Sequence, residues 1–270
     1  MPHEWWKDFF TGAALDLWRA AMSEDRTHAE ADFILGLLSL APQAKVLDVP
    51  CGEGRLTREF AAHGFEMTGV DLSRDFLKEA EAKADGRGLD IHWVRRDMRR
   101  LAWNAEFDGA FCFGNSFGYF TDEGNVSFLA AVSRALKPGA RFVLDASSVV
   151  EVVLPILKPR TEVPVGDILF IEENRYDHVN GRLDTDYTFV RGDLAERKSG
   201  SHRIYTYRQM AGLLEAAGFE KLRTFGSIDK DPFALGSPQL LLVATKKPRA
   251  RKSRKSRRAA VQHTRRTHRT

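Results

Sequence analysis

The sequence has few cysteines, no long apolar run and no acidic residue after Thr245. Cys51 and Cys112, the two cysteines among 270 residues, are each predicted at the end of a buried strand. This argues against a structural disulfide and favours a reducing, cytoplasmic location. No apolar run approaches the roughly 18 residues of a membrane-spanning helix, and the charged N-terminus does not resemble a secretory signal. With 43% hydrophobic and 29% charged residues, the composition is that of a globular protein.

The positive charge of the chain is confined to its C-terminal end. The net charge is +4, but Lys246–Thr270 holds twelve of the 41 Lys and Arg residues and none of the 37 Asp and Glu residues. The rest of the chain is therefore acidic. We predict that residues 248–270 form a disordered basic tail, a kind of segment that can bind nucleic acid or an acidic partner nonspecifically.

Residue patterns of metal binding and of nucleophilic catalysis are also missing. The eight histidines are scattered, none shares ligand spacing with a cysteine, and no Ser/His/Asp constellation is recognisable. The sequence therefore predicts no metal site.

Apolar runs and helical patterns alternate from Ala44 onward. Short apolar runs predict buried parallel strands at Lys45–Val49, Glu66–Val70, Ile91–Val94, Gly109–Phe113 and Arg141–Asp145. Helices are predicted at Arg55–His63, Asp75–Ala84, Glu123–Leu136 and Arg208–Ala217. Two further strands, Lys221–Gly226 and Gln239–Thr245, close the pattern. The expected fold is α/β, a doubly wound and mostly parallel seven-stranded sheet of Rossmann-like type.

Two segments lie outside this alternation. Upstream, Glu4–Met22 and Thr27–Leu40 read as amphipathic helices, so residues 1–43 are predicted to form a helical lid. Residues 148–207 are predicted to form an antiparallel β insertion over the acceptor side. Its strands are expected at Asp167–Asp177, Arg182–Val190 and His202–Tyr207, with a hairpin turn at Asn180-Gly181. The cofactor domain would then comprise residues 44–147 and 208–247.

A glycine-rich turn follows the first predicted strand, at Pro50-Cys51-Gly52-Glu53-Gly54. Glycines let the backbone approach a ligand closely, and the free amides at the start of the next helix face that ligand. The nicotinamide fingerprint requires a third small residue after Gly52 and Gly54, and that residue is missing. A carboxylate at Asp48 would also repel a pyrophosphate. The loop therefore favours a cationic cofactor without phosphates.

Acidic residues end the next two predicted strands. Asp71 lies 17 residues after Gly54, near the spacing of about 20 typical of a ribose-binding acid. Asp97 follows the third strand and is placed to accept from an adenine amino group, with Leu72 and Met98 against the ring. One such acid alone would be an ordinary helix cap. Together with the glycine loop, they predict an adenosine-containing cofactor.

Five segments resemble, in order, the motifs of class I S-adenosylmethionine-dependent methyltransferases: VLDVPCGEGRLT, GVDLS, RRDMRRL, FDGAFCFGNSFGYF and LKPGARFVLD. The later RIYTYRQMAGLLEAAGF is similar to the helix after the β insertion in small-molecule members. The resemblance spans about residues 5–247 and implies S-adenosylmethionine as cofactor. It implies that Asp48, Gly52 and Gly54 hold the methionine part, Asp71 the ribose, Asp97 with Met98 the adenine, and that Phe113, Gly114 and Asn115 line the sulfonium. Pro50 replaces the family's usual first glycine and should stiffen the loop, where Cys51 and Arg55 are also predicted cofactor contacts.

Acceptor contacts are predicted from the lid, from the loop after the fourth strand and from the insertion. Methyl transfer needs alignment above all, so no catalytic signature is required. Tyr119 is a candidate catalytic residue in that loop, and His202 is the candidate base. Predicted substrate-binding residues are Trp6, Phe10, Arg175, Tyr187, Arg203 and Tyr205. An ordinary amphipathic helix and ordinary cross-strand pairs would account for the same residues.

Three functions are compatible with these features. The leading hypothesis is methyl transfer to an N, O or C nucleophile of a small molecule. An RNA methyltransferase recruited by the basic tail is an alternative, although the body is acidic and no aromatic residues interleave with the basic residues of the tail. The third is an S-adenosylmethionine-binding protein without methyl transfer.

Overall fold

The structure is a computed structural model that describes residues 4–248. The predicted basic tail after Pro248 lies outside the described residues, as do residues 1–3. The strands are β1 (Lys45–Asp48), β2 (Glu66–Asp71), β3 (Ile91–Arg95), β4 (Phe107–Cys112), β5 (Leu136–Asp145), β6 (Arg160–Val165), β7 (Ile168–Asp177), β8 (Arg182–Arg191), β9 (Leu194–Arg203), β10 (Phe219–Phe225) and β11 (Leu241–Lys246). The helices are α1 (Gly12–Ala21), α2 (Glu24–Leu38), α3 (Arg55–Ala62), α4 (Arg74–Asp85), α5 (Asp122–Ala135), α6 (Val150–Val153) and α7 (Tyr207–Ala216). None of these helices is long and apolar enough to cross a membrane.

The main sheet has seven strands in the order β10-β11-β5-β4-β1-β2-β3. Strands β1 to β5 pair in parallel, whereas β11 runs antiparallel to both β5 and β10. The predicted doubly wound, mostly parallel sheet is confirmed. Because the strand order reverses between β1 and β4, their carboxyl ends flank the crevice where such sheets bind ligands.

Helices cover both faces of this sheet, which explains why its central strands are apolar on both sides. On one face, Phe60 of α3 packs against Phe111 of β4 with ring centroids 4.8 Å apart. On the other face, Phe142 of β5 stacks on Phe219 of β10 at 5.6 Å and meets Phe128 of α5 at 6.5 Å. All five rings are buried. The sheet is thereby fixed as a rigid platform for the loops at its edge.

The insertion is a second sheet of four antiparallel strands in the order β6-β7-β8-β9. The predicted strands β7 and β8 and their turn at Asn180-Gly181 are present. The prediction of a third strand at His202–Tyr207 is wrong. The third strand is the polar segment β9, which begins at Leu194 and ends at Arg203. Its inner side chains bond to the N-terminal segment instead of burying apolar groups: Glu196 accepts from the Ala13 amide at 2.8 Å, and Lys198 donates to the Asp8 carbonyl at 3.1 Å. Hydropathy therefore gave no signal, and β6 was missed as well.

The N-terminal segment is not the single helix predicted over Glu4–Met22. A short 3-10 turn at Trp5–Lys7 is followed by a bend, and α1 begins only at Gly12, whose φ is +56°. The bend lets the Trp5 indole donate to the Ser201 carbonyl at 3.0 Å, while Asp16 of α1 pairs with Arg191 at 2.9 Å. The lid was predicted over residues 1–43, but α2 packs on the main sheet, where Phe33 and Ile34 join its core. Only residues 4–21, called the lid below, lie against both the insertion and the main domain.

Gly118, in the loop after β4, packs closely against Arg203 of the insertion, and replacing Gly118 tests this contact. Its φ is +102°, and the carbonyl oxygen of Arg203 lies 2.7 Å from where a Cβ would stand. Gly118→Ala is therefore expected to lower the free energy of unfolding by about 2 kcal/mol or more, through strain and a backbone clash. Urea unfolding measures the change. Gly139→Ala is the control because Gly139 has a φ of +86° but no atom within 4 Å of its Cβ position. Equal losses of unfolding free energy in the two variants would show that the close contact between Gly118 and Arg203 is not the cause.

Candidate active site

A cleft opens at the carboxyl edge of β1, β2 and β4, beneath the lid. It encloses about 980 Å³ of atom-free space, its mouth included. Eleven of the thirteen predicted cofactor residues line it: Asp48, Pro50, Cys51, Gly52, Arg55, Asp71, Leu72, Asp97, Met98, Phe113 and Gly114. Gly54 does not line it, and a Cβ at this position would meet the Trp93 ring and Ala80. Asn115 lines a neighbouring chamber instead.

Asp48 ends β1 as a buried carboxylate with an open side. One of its oxygens accepts a hydrogen bond from the Thr57 hydroxyl at 2.5 Å. No other hydrogen bond reaches the Asp48 carboxyl group from the described residues. Burial raises the pKa of Asp48 to about 8, against the opposing effects of Thr57 and Arg55. A ligand that donates hydrogen bonds or carries positive charge would complete this site.

Asp71 ends β2 and organises the backbone around the cleft. Its Oδ2 accepts from the Gly52 amide at 2.9 Å, and its Oδ1 accepts from the Ser73 amide at 2.8 Å. Burial raises its pKa, although these amides partly oppose that effect. Each carboxylate oxygen can accept more than one hydrogen bond, so Asp71 can hold the loop and bind a ligand hydroxyl at the same time.

Asp97 is held by Arg99, a residue that the sequence analysis did not single out. The Arg99 guanidinium meets Asp97 Oδ2 at 2.6 Å, lies 4.2 Å over the Phe120 ring, and reaches Glu4 of the lid at 3.5 Å. Burial acts to raise the pKa of Asp97, but the hydrogen bonds from Arg99 outweigh it and lower that pKa. Asp97 therefore remains an anion. Arg99 connects it to Glu4 of the lid. The run of four arginines around it gave no sign of which one pairs.

A chamber adjoins the cleft and lies between the lid and the insertion. Its atom-free space is about 1550 Å³, mouth included, and the two cavities share Phe10, Trp18, Arg55, Gly114 and Tyr119. Of the other predicted acceptor residues, Tyr187 and His202 line the chamber, whereas Trp6 lines the cleft. The chamber thus lies next to the predicted sulfonium position.

The two candidate catalytic residues are neighbours in this chamber. The rings of Tyr119 and His202 have centroids 5.1 Å apart, and Trp5 of the lid contacts both, at 4.7 and 4.9 Å. Burial, and then the charge of Arg182, lowers the pKa of His202 to about 4. Burial also raises the pKa of Tyr119. His202 is therefore a neutral imidazole at physiological pH, and it makes no hydrogen bond with the described residues.

Three predicted substrate-binding residues are not brought to the chamber. Strand β9 ends at Arg203, so the expected alternation through Tyr205 does not continue. Arg203 pairs with Asp122 at 2.8 Å, and the Tyr205 hydroxyl donates to the same carboxylate at 2.5 Å, which anchors the insertion to α5. Arg175 points from the outer face of the insertion and pairs with Asp186 at 2.9 Å. These three residues have structural partners instead.

Asp145 ends β5 beside the chamber, and it was not predicted from the sequence as a site residue. Asp145 is buried, and its Oδ2 accepts from the amides of Gly114 and Asn115 at 3.2 and 3.0 Å. It thereby holds Asn115, whose φ is +58°. The sequence signal that could have identified Asp145 is an acid at the end of a parallel strand, here β5, the same signal that identified Asp48, Asp71 and Asp97.

Comparisons with known proteins agree with this architecture. Residues 46–139 match a family described as a methyltransferase domain. A putative methyltransferase of Geobacillus sp. (strain WCH70) is 28% identical over 208 residues, which cover 75% of this chain and 84% of that protein. An S-adenosylmethionine-dependent methyltransferase from Clostridium acetobutylicum superposes with a TM-score of 0.73 at 22% identity, over 86% of this chain and 95% of that one. A SAM-bound amino pentose methyltransferase from Micromonospora echinaspora gives 0.66 at 20% identity, over 89% and 99%.

The sheet order and the position of the acid-lined cleft where that order reverses agree with the Rossmann-like fold of these methyltransferases. The methyltransferase domain over residues 46–139 and these relatives confirm the predicted resemblance to the class I S-adenosylmethionine-dependent methyltransferases. This resemblance implies S-adenosylmethionine as cofactor or cosubstrate.

Proposed function

We propose that this protein methylates an N, O or C nucleophile of a small molecule bound in the chamber. The observation that carries the proposal is the position of the chamber beside the cofactor cleft. The chamber meets the cofactor cleft at Gly114 and Tyr119 and lies between the lid and the insertion. A cavity in this position suits a small acceptor, because it can hold the nucleophile against the donor.

The residues of the cleft fit S-adenosylmethionine. Gly52 has a φ of +56° and no atom within 4 Å of its Cβ position, so the loop leaves an open cradle that a side chain would fill. The open side of Asp48 suits an ammonium group, and Asp71 suits ribose hydroxyls. Leu72 and Met98 offer apolar surfaces for the adenine. When bound, S-adenosylmethionine supplies an electrophilic methyl group on its sulfonium.

The acceptor side has a specific role for His202. A neutral imidazole with no partner among the described residues can accept a hydrogen bond, or a proton, from the hydroxyl or amine of the acceptor. Tyr119, held neutral by burial, can donate a hydrogen bond beside it. We propose that this pair orients the nucleophile, while the rings of the lid exclude water. The amino pentose methyltransferase of similar fold supports a small-molecule acceptor by analogy.

The test compares a small-molecule acceptor with RNA. Purified full-length protein and a variant ending at Pro248 are each given methyl-labelled S-adenosylmethionine with a metabolite extract or with total RNA. We expect both proteins to label a low-mass product at rates within about twofold of each other, because the described cavities lie wholly within residues 4–248.

Two outcomes would contradict the proposal. Label found in RNA alone, and lost when the chain ends at Pro248, would favour the RNA methyltransferase recruited by the tail. Cofactor binding without transfer to either pool would favour the non-catalytic S-adenosylmethionine-binding protein.

A further inference from the structure

The insertion presents a wall of aromatic rings to the chamber. Phe170 and Tyr187 stack with centroids 5.8 Å and planes 9° apart, and Phe189 lies 5.2 Å from Phe170. Phe9 of the lid meets Tyr187 edge to face at 5.1 Å, and Trp18 also lines the chamber. Aromatic walls of this kind bind planar or apolar bodies through stacking and edge contacts. The chamber therefore suits an acceptor with such a body.

Three of the charged side chains that line the chamber pair with one another. Glu30 lies between two arginines, since Arg26 Nε donates to it at 2.8 Å and Arg55 Nη2 lies 2.5 Å from its other oxygen. Asp145 accepts hydrogen bonds from two amides of the loop after β4 and from Ser147. The charge of both arginines is therefore partly balanced by Glu30.

Glu172, like Asp145, has no cationic partner in residues 4–248, but its carboxylate, unlike that of Asp145, accepts a single hydrogen bond. Its Oε2 accepts a hydrogen bond from the Thr161 hydroxyl at 2.9 Å, and no Lys, Arg or His in residues 4–248 pairs with it. It lines the chamber from β7, directly across from Tyr187 and two residues beyond Phe170. An unneutralised carboxylate therefore lies at the edge of the aromatic wall.

We propose that the acceptor carries a cationic amine on a planar or apolar body, with the ammonium bound by Glu172 and the body packed against the aromatic wall. This inference rests on the proposed function, since it names the class of molecule that the chamber admits. A carboxylate and ring faces attract an ammonium together. The ammonium is a recognition group at the insertion, whereas the chamber meets the cofactor cleft at Gly114 and Tyr119.

The test uses three probes that share a phenyl body and differ in charge: 2-phenylethylamine, 3-phenylpropanol and 3-phenylpropionate. Calorimetry measures their binding to protein loaded with S-adenosylhomocysteine. We expect the amine to bind at least about tenfold more tightly than the carboxylate, and Glu172→Gln to remove that preference. Ethylamine, which lacks the ring, should bind at least about tenfold more weakly than 2-phenylethylamine.

Glu173→Gln is the matched control. Glu173 is the next residue of β7 and lies on the opposite face of the strand, where it pairs with Arg160 at 3.0 Å. This variant should retain the preference for the amine. The inference is overturned if the amine binds no more tightly than the carboxylate, if Glu172→Gln retains the preference, or if none of the three phenyl probes binds.

Failure of this inference can be told apart from failure of the proposed function. Labelled methyl transfer to a metabolite extract tests the function alone. Methyl transfer to acidic products only would contradict the proposal of a cationic acceptor, but it would agree with the proposed methyltransferase function. A protein that binds its donor and methylates nothing would overturn the function.

Discussion

Replacement of Asp71 by alanine is expected to weaken binding of S-adenosylhomocysteine about a hundredfold, the larger of the two binding losses that we predict. The side chain accepts from the Gly52 amide, which fixes the open cradle, and it faces the predicted ribose position. Loss of two charge-assisted hydrogen bonds to a ligand costs about 3 kcal/mol in total. Titration calorimetry at constant pH measures the change.

Asp75→Ala is the matched control for this variant. Asp75 is an exposed acid in the first turn of α4, four residues along the chain, and it does not line the cleft. Its loss removes the same charge but should leave the affinity within about twofold. Unchanged affinity in Asp71→Ala, with a fold intact by circular dichroism, would refute the assignment of Asp71 to the ribose.

The central sheet could be predicted because its signals are local. Strands buried on both faces are continuous apolar runs, and a loop that must approach a ligand needs glycine. The same locality explains why the cofactor acids were found, since the carboxyl ends of parallel strands meet at one edge. Asp48 and Asp71 required no knowledge of side-chain packing.

The acceptor side could not be predicted in the same way, because its residues are fixed by contacts distant in sequence. The polar strand β9 pairs with β8 along its whole length, and the lid supplies partners for its Glu196 and Lys198 side chains. The assignment of Arg203 to the acceptor failed because Asp122, 81 residues earlier, pairs with it. Periodicity alone cannot show such a partner. Glu172 could not be predicted for the same reason, because only the structure shows that no cation among residues 4–248 pairs with its carboxylate.

The second prediction concerns Asp48→Asn, whose effect on stability should depend strongly on pH. A free aspartate titrates near 3.9, and burial raises the pKa of Asp48 in the folded protein to about 8. Between these values the unfolded chain has lost the proton that the folded chain keeps, so folding must take up a proton and stability falls as pH rises. Asparagine removes this cost and can still accept from the Thr57 hydroxyl.

The gain in the free energy of unfolding should therefore be near zero around pH 4 and reach a few kcal/mol above about pH 8. Urea unfolding of the cofactor-free protein at both pH values measures it. Asp108→Asn is the control because burial raises the pKa of Asp108 less than Lys137 and the Lys45 amide lower it, so this variant should gain no stability at either pH. An equal gain in the free energy of unfolding from Asp48→Asn at acid and alkaline pH would contradict the raised pKa of Asp48 in the folded protein.

The same variant should bind S-adenosylhomocysteine at least about tenfold more weakly, because the ammonium of the ligand loses its anionic partner. A variant that is more stable at alkaline pH and yet binds poorly would show that the cost of burying Asp48 is compensated only when the ligand is present. A residue kept for packing alone would behave differently, since its replacement would change stability without changing affinity. The combined result therefore separates a binding carboxylate from a structural one.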